Sequence, residues 1–247
     1  MKMFRVRPLA AALLYGCWLS PATAPAQHSS TLSTASISSI STTATTTAFR
    51  DARYPAHWWT PVPKQGAPDW EVLPQDAGPG EVILSKRNEL GLLSNFTATT
   101  FTLDGRTYAS VEGFWQMMLF PEGPDDSRAK AAGLEWKHTR DQVAGMTAFT
   151  AKSAGDAAWD NMKKMGIDWV TYQGRRMPYY KTGRAEHYDV IVRAMRAKLD
   201  QNPEVKRVLL ATGDLKLRPD HHQPDDAPPS WRYFDTWMQL RKELQEK

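Results

Sequence analysis

One carboxylate and two amides stand out in this sequence as groups able to do chemistry together. Glu112 follows Ser110 at the start of a predicted helix, Gln116 lies one turn further on the same face, and Asn95 sits in a Ser-Asn-Phe turn upstream. The unpaired amides and the dipole at a helix N-terminus favour the anionic form of an acid there. The sequence therefore predicts a low pKa for Glu112, which suits a base, a nucleophile or a group that stabilises a cation.

A structural interpretation of the same residues stays open at this point. Acids in the first turn of a helix commonly stabilise it by a few tenths of a kcal/mol. Asn95 is a turn former whose side chain usually bonds its own backbone, and Trp115 is by type a core residue. Residue type and spacing alone do not decide between packing and a site.

The elements that must position these groups can be predicted from the pattern. Residues 82–84 form an apolar run typical of a strand. Residues 100–103 and 106–108 alternate around Asp104-Gly105, a two-residue turn that tolerates positive φ, and this predicts a hairpin. Ser110 then caps a helix that continues to about Leu119 and ends before Pro121.

The remainder of the chain has a helical pattern. Apolar residues from Tyr188 to Leu199 share one face, with Arg193, Arg196 and Lys198 off it, which predicts an amphipathic helix. Asn202-Pro203 starts a further helix, and a last one begins near Trp231. The predicted fold class is α+β, mostly α: a single domain of packed helices with a small antiparallel β element.

The first 26 residues have the features of a signal peptide. A basic start precedes an apolar stretch too short to span a bilayer, and small residues at 24 and 26 form a cleavage site. We therefore expect an exported protein, periplasmic or secreted, with no transmembrane segment. The alternative is a lipoprotein anchored through Cys17, which Tyr15 disfavours because it makes a poor lipidation box.

Three further segments follow the leader. Residues 27–48 are almost wholly Ser, Thr and Ala, so they bury too little surface to offset the entropy of ordering and are predicted to be a disordered linker. Residues 49–80 combine prolines with Trp58, Trp59 and Trp70, which favours an irregular segment anchored on a core by aromatic side chains. The folded domain is predicted at 81–247.

Composition excludes several classes of function. Removing the three basic residues of the leader from 31 leaves 28 against 27 acidic residues, a net charge of about +1, so bulk charge gives no case for nucleic-acid binding. Cys17 is the single cysteine of the chain and lies in the leader, so the mature protein has no thiol nucleophile and no thiolate metal site. We expect no cofactor and no metal, and the oligomeric state stays open.

The sequence resembles the NADAR (YbiA-like) family. The resemblance begins with a Gly-x-Leu-Ser-Asn-Phe turn at 91–96, an Asp-Gly hairpin at 104–105, and Ser-Val-Glu at 110–112 followed by aromatic residues and Gln116. It continues at 194–199, 202–204, 209–213, 216–217 and 240–244. The resemblance therefore covers nearly all of the predicted domain, and it implies the YbiA-like fold.

The resemblance also implies a reaction. Members are N-glycosidases that cleave the bond between C1 of a ribose and a nitrogen, in riboflavin-pathway intermediates or in ADP-ribosylated guanine. Such a bond breaks through an oxocarbenium-like transition state, which an ionised carboxylate near C1 stabilises. Glu112 matches the catalytic glutamate of the family, and the expected substrate is a small N-riboside or an ADP-ribosylated compound. The resemblance implies substrate-binding roles for Asn95, Phe96, Trp115, Gln116, Lys216, His221 and Trp231.

Two departures from the family pattern support an alternative function. Leu119 occupies the place of a lysine on the same helix as Glu112, and the chain has Ser230-Trp231-Arg232 where relatives have Trp-Gly-Asp-Gly. These changes favour a module that keeps the fold and binds ADP-ribose or a nucleotide without catalysis. Lys216 is open to two interpretations, a phosphate ligand or a solvated lysine.

A metal site at His221-His222 is disfavoured on geometric grounds. Neighbouring side chains of an extended segment point in opposite directions, and no fixed spacing to further ligands is visible. His221 is more consistent with a general acid, or with a residue that hydrogen-bonds a substrate-binding group without touching the substrate itself.

Overall fold

The chain is described by a computed structural model that covers residues 52–179 and 185–246. The predicted signal peptide, lipidation site and disordered linker all lie outside these residues. The described residues contain six α-helices: α1 Val111–Met117, α2 Arg140–Ala144, α3 Ala148–Lys164, α4 Glu186–Gln201, α5 Pro203–Ala211 and α6 Tyr233–Gln245. They also contain six strands: β1 Glu81–Ile83, β2 Phe101–Leu103, β3 Arg106–Tyr108, β4 Trp169–Tyr172, β5 Arg175–Pro178 and β6 Lys216–Arg218.

The predicted hairpin around Asp104 is confirmed. Strands β2 and β3 pair antiparallel, with Phe101 opposite Tyr108. Asp104 and Gly105 have φ values of 51° and 78°, the left-handed pair that a two-residue hairpin requires. The ring of Tyr108 meets that of Phe114 edge to face at 4.8 Å, so the hairpin packs directly on α1.

Helix α1 begins where the sequence predicts and is central to the molecule. The Ser110 Oγ accepts a hydrogen bond from the Gly113 amide at 2.9 Å, which confirms the predicted N-cap. All seven residues of α1 are buried. A Cβ at Gly113 would lie 2.4 Å from the Met146 carbonyl oxygen, so this glycine permits the close approach of the segment that follows α2. Glu112 therefore enters the interior because its whole helix does.

The C-terminal helices match their predictions except at one lysine. Helices α4, α5 and α6 contain the three predicted apolar faces, and Gly213 follows α5 with φ of 52°. Lys198, predicted on the exposed side of α4, is instead 0% exposed. Its Nζ donates a hydrogen bond to the Ser94 carbonyl oxygen at 2.8 Å. The position of Lys198 differs from the prediction because other elements pack against α4 on more than one side.

The β-structure is more extensive than predicted. The described strands form three two-stranded sheets, in which β1 pairs parallel with β6 and β4 pairs antiparallel with β5. The β4–β5 hairpin was missed, although Gln173-Gly174 forms a turn with φ of 52° and 75°. The described residues are thus a mixture of helices and small sheets, as in the α+β class. A single domain stays a prediction.

The described part of the Pro/Trp-rich segment rests on the core through its tryptophans. Trp58 and Trp59 are buried in the hydrophobic core. Trp58 Nε1 donates to Glu89 Oε1 at 2.7 Å, and Trp59 Nε1 donates to the Glu81 carbonyl oxygen at 2.9 Å. Trp70, by contrast, stands at the surface. No helix in the described ranges combines the length and apolar character needed to cross a membrane.

Candidate active site

A cavity of about 420 Å³ opens between α1, α3 and the loops around residues 70, 86–96 and 220–233. Its wall brings together seven of the eight residues that the sequence singled out: Asn95, Phe96, Glu112, Trp115, Gln116, His221 and Trp231. It also contains residues that sequence reasoning missed: Trp70, Lys86, Phe149, Lys152, Asp156, Trp159, Tyr179, Asp220 and Tyr233. Acidic, basic and aromatic groups therefore converge on one concave site, the usual character of a small-molecule pocket.

Glu112 is held at the buried end of this cavity by contacts on both sides. The residue is 6% exposed, and its Oε1 accepts a hydrogen bond from Gln116 Nε2 at 2.7 Å. Its own amide donates to the Asn95 carbonyl oxygen at 2.9 Å. The carboxylate and the Ser-Asn-Phe turn are thereby fixed relative to each other.

The predicted low pKa of Glu112 is wrong. Burial raises the pKa of Glu112 from 4.5 to about 7, against the opposing effects of the Gln116 hydrogen bond and the Lys152 charge. The cost of removing a carboxylate from water exceeds the contribution of a short helix whose dipole acts only over its first turn. A carboxyl group with a pKa this close to neutrality can either donate or accept a proton.

Asn95 does not make the local hydrogen bond predicted for it. In its turn, the Ser94 Oγ accepts from the Phe96 amide at 3.2 Å. The Asn95 Oδ1 is buried without a hydrogen-bond partner in the described structure, while the residue lines the cavity. A buried acceptor left unpaired is costly, so this oxygen is well suited to a donor on a ligand.

One face of α3 forms a wall of the cavity. Lys152, Gly155, Asp156 and Trp159 fall at i, i+3, i+4 and i+7, and Lys152 pairs with Asp156. The sequence signal for this wall was a helical face that mixes charged residues, a glycine and a tryptophan where an apolar stripe would pack a core. The helical spacing of residues 152–159 therefore predicts that these side chains lie on one face.

Gly155 makes room for the amide that contacts Glu112. A Cβ at position 155 would lie 1.7 Å from Gln116 Oε1 and 2.3 Å from its Cδ. Any side chain there must displace the Gln116 amide. Gly155 is therefore a positioning residue that acts on Glu112 through Gln116.

We expect Gly155→Ala to raise the pKa of Glu112 above its present value. The hydrogen bond from Gln116 favours the carboxylate, so its loss favours the protonated form. The measurement is a carboxyl ¹³C NMR titration of Glu112 in the two proteins. Gly145→Ala is the matched control, because a Cβ at that position meets an ordinary contact of 3.5 Å. An unchanged titration in Gly155→Ala would contradict the positioning role.

Aromatic contacts fix the indole of Trp115. Its Nε1 donates to the Tyr179 hydroxyl oxygen at 3.1 Å, and the His187 ring meets the indole edge to face at 5.2 Å. Burial lowers the pKa of His187 to about 4, so this imidazole is neutral at physiological pH. Trp115 therefore presents a rigid apolar surface next to Glu112.

A second charged cluster lines the same cavity. The buried Asp220 carboxylate pairs with Lys86 and accepts from His221 Nδ1 at 3.3 Å. Burial raises the pKa of Asp220, but the His221 hydrogen bond and the Lys86 charge outweigh this effect and hold the pKa below its usual value. His221 also stacks on Tyr233 with the ring planes 12° apart. Asp220 is thus an ionised anchor for His221 and Lys86.

Comparisons with known proteins give one distant similarity in structure. The chain matches no family model. No significant match to it occurs among the curated proteins. It is similar to the NMR structure of the E. coli protein YbiA, with 20% sequence identity over 67% of this chain and 86% of that chain, at a TM-score of 0.39. Similarity at this level assigns neither a family nor a function.

Lys216 is the predicted site residue that the structure places elsewhere. It is an exposed residue of β6, directly opposite Glu81 of β1, and its Nζ lies 3.0 Å from Glu81 Oε1. The register of this parallel pair keeps its side chain away from the cavity wall. The interpretation as a solvated lysine fits this position, and the cations of the cavity are Lys86 and Lys152 instead.

The two adjacent histidines also depart from expectation, since His221 and His222 both line the cavity. Within residues 52–179 and 185–246, no group of three or more His, Cys, Asp or Glu side chains is arranged to hold a metal ion. The absence of a metal and a cofactor from the reaction stays a prediction.

Proposed function

We propose that this protein is an N-glycosidase-like hydrolase that cleaves the N-glycosidic bond of an N-ribosyl or ADP-ribosyl compound. The observation that carries the proposal is Glu112, a carboxyl group with a pKa of about 7, fixed by Gln116 at the buried end of a cavity. The NADAR-like sequence pattern around this residue adds support. Export of the protein, inferred from residues 1–26, is part of the same proposal and places its substrate outside the cytosol.

The chemistry needs one group that tolerates charge next to C1 of the ribose. As the C1–N bond breaks, its electron pair leaves with the base and positive charge develops on the sugar. The ionised form of Glu112 stabilises that charge and accepts a proton from the water that attacks C1. A carboxyl group with a pKa near the working pH releases this proton readily in the next cycle.

The surrounding residues suit binding roles in this reaction. The unpaired Asn95 Oδ1 accepts a hydrogen bond from a sugar hydroxyl, and the fixed indole of Trp115 packs against the sugar or base. Lys152 supplies positive charge beside Asp156 on the α3 wall. Phe96 and Trp231 add apolar surface, and His221 with Asp220 adds a hydrogen-bonding pair.

The alternative is a binding module for ADP-ribose or a nucleotide without catalysis, and one observation favours it. Leu119, which replaces the family lysine, is 1% exposed and lines the cavity, so this part of the wall is apolar. A reaction that depends on a cation there does not occur in this protein. The cavity itself serves binding equally well.

The decisive experiment measures turnover across a panel of N-ribosyl compounds. The wild-type protein and the Glu112→Gln variant are incubated with NAD, nicotinamide mononucleotide, ribosylamino compounds and ADP-ribosylated guanosine. Free base and free ribosyl product are followed by mass spectrometry. We expect release of base by the wild-type protein and none by the variant.

The panel separates the two functions. Saturable binding to both proteins with no base released by either would favour the binding module. Equal turnover by the wild-type protein and the variant would remove Glu112 from the mechanism. Asp189→Asn is the matched control, because Asp189 is exposed on α4 and does not line the cavity.

A further inference from the structure

Two large aromatic side chains stand exposed at the mouth of the cavity. Trp70 is 43% and Phe149 is 56% exposed, and both line the cavity that contains Glu112. Of the large hydrophobic residues in the described ranges, Leu210 is the other strongly exposed one, at 38%, and it lies on α5 away from the cavity wall. Exposed aromatic surface is therefore concentrated at the cavity entrance, where it marks a binding surface.

These side chains form an ordered cluster with Phe96, which we call the aromatic rim. The ring of Phe149 meets Trp70 at 5.9 Å and Phe96 at 5.2 Å, both edge to face. The Lys86 ammonium lies 5.9 Å from the Trp70 ring centroid and 5.2 Å from that of Phe96, and Asp220 holds it in place. The rim is therefore preorganised, which reduces the entropy lost when a ligand binds.

Helix α3 relates the rim to Glu112. Phe149 lies near its start, and Gly155, which contacts the Gln116 amide, lies six residues further on. At a rise of about 1.5 Å per residue, the rim lies roughly 9 Å along the helix from this contact. The exposed fraction is 56% at Phe149 of the rim but only 6% at Glu112 of α1, so the rim is at the open end of the cavity and Glu112 is at its buried end. A ligand long enough to span this distance can therefore contact Glu112 and the rim at the same time.

We propose that the aromatic rim is a second subsite that stacks a planar heteroaromatic ring of the substrate, while the ribosyl group of the same molecule reaches Glu112. Flat, rigid and partly exposed rings next to a cation are well suited to the faces of nucleobases. The substrate class rests on the proposed function, whereas the stacking rests on the rim alone. Phe96 belongs to the turn at 91–96 that resembles the NADAR family, whereas Trp70 and Phe149 lie outside the segments that carry the resemblance, so these two exposed rings are an addition to that pattern.

The test compares ligands with and without a ring, in a Glu112→Gln background that prevents turnover. ADP-ribose, NAD and nicotinamide mononucleotide carry a ring, and ribose 5-phosphate does not. Isothermal titration calorimetry gives the affinity of each ligand for the Glu112→Gln protein and for the same protein with the rim substitutions Trp70→Ala and Phe149→Ala. Stacking a base on an aromatic side chain is worth about 1–3 kcal/mol, so we expect a loss of roughly 5- to 150-fold for at least one ring-bearing ligand. The affinity for ribose 5-phosphate should not change.

Three controls make the result specific. Leu210→Ala removes exposed apolar surface elsewhere and should leave every affinity unchanged. Trp70→Phe keeps a ring and should restore most of the lost affinity when Phe149 is intact. Circular dichroism and thermal unfolding show whether each variant folds, which is expected because Trp70 and Phe149 are exposed.

The outcomes separate this inference from the proposed function. Equal losses for ribose 5-phosphate and the ring-bearing ligands, unchanged affinities in the rim variant, or no binding of any ring-bearing ligand would each overturn the subsite. With Glu112 intact, turnover that Glu112→Gln abolishes but the rim substitutions do not affect would support the hydrolase without the subsite. Ring-dependent binding without any turnover would support the rim and remove the hydrolase.

Discussion

The Glu112→Gln variant is expected to lose turnover of an N-ribosyl substrate by about 10²- to 10⁴-fold, the usual contribution of a positioned acid or base. Glutamine has nearly the same shape and can still contact Gln116, so binding should be largely preserved. It cannot ionise, so it neither accepts a proton from water nor balances charge on the sugar. The loss should therefore fall on kcat more than on KM.

The same substitution is expected to stabilise the protein at alkaline pH. The folded-state pKa of Glu112, about 7, lies above its ordinary value of 4.5. The stability associated with its protonated form is therefore present below pH 4.5 and is lost as the pH rises through 7. The difference corresponds to about 3 kcal/mol, which the wild-type protein loses between these limits and the glutamine variant does not.

Urea unfolding of the two proteins between pH 4 and pH 9 measures this effect. The difference in their free energies of unfolding should grow in favour of the variant up to about pH 8 and then level off. A constant difference across this range would show that the carboxyl group titrates normally in the folded protein. Loss of activity together with a gain in stability is the usual trade-off where function requires a charged group that burial destabilises.

The Lys198→Met variant is expected to show the second large effect, in the opposite pH range. Lys198 has no exposed surface, and its ammonium has the Ser94 carbonyl oxygen as acceptor and the Trp237 ring 5.9 Å away. Burial lowers the pKa of Lys198 from 10.5 to about 7. The charged form is therefore disfavoured in the folded state, and methionine removes this penalty while keeping most of the volume.

The sign of the pH dependence follows from the lowered pKa. Between pH 7 and pH 10.5 the unfolded chain binds a proton at Lys198 that the folded protein does not, so wild-type stability rises with pH over this range. The full rise corresponds to about 5 kcal/mol, taken relative to Lys198→Met so that the titration of the other groups cancels. The methionine variant should lack this rise and be more stable than the wild-type protein near pH 6.

Chemical unfolding at pH 6, 8 and 10 checks the prediction, with Lys206→Met as the control because Lys206 is exposed on α5. A wild-type protein whose stability does not rise relative to Lys198→Met between pH 7 and pH 10 would contradict the pKa of Lys198. Together, Glu112 and Lys198 should give the wild-type protein a local minimum of stability near neutral pH.

Sequence patterns predicted much of the fold because the relevant interactions are local. Asp104-Gly105 favours a tight hairpin through its own backbone conformations, and Ser110 caps α1 through an amide three residues away. The β4–β5 hairpin was predictable from Gln173-Gly174 on the same grounds. The parallel pair of β1 and β6 was not, because its strands lie more than 130 residues apart.

The residues of the candidate site also fall into two groups, those that local sequence predicts and those that only the fold brings in. Its turn, its acid and its neighbouring amide follow from residues 91–116, where types and spacing are informative. Trp70, Lys86, Lys152 and Asp220 join the site only because the chain folds back on α1. Lys216, by contrast, sits close to Asp220 in sequence but lies on the solvent side of β6.

The sequence by itself determined which groups begin a helix, close a turn or share a helical face, since those properties depend on residues within about one turn of each other. Only the tertiary structure decided the burial of Glu112 and Lys198, and with it the direction in which their pKa values shift. It reversed the low pKa predicted for Glu112 and the exposed position predicted for Lys198. The pKa of a buried group is set by how much water its neighbours exclude. Those neighbours come from distant parts of the chain, so local sequence carries no measure of them.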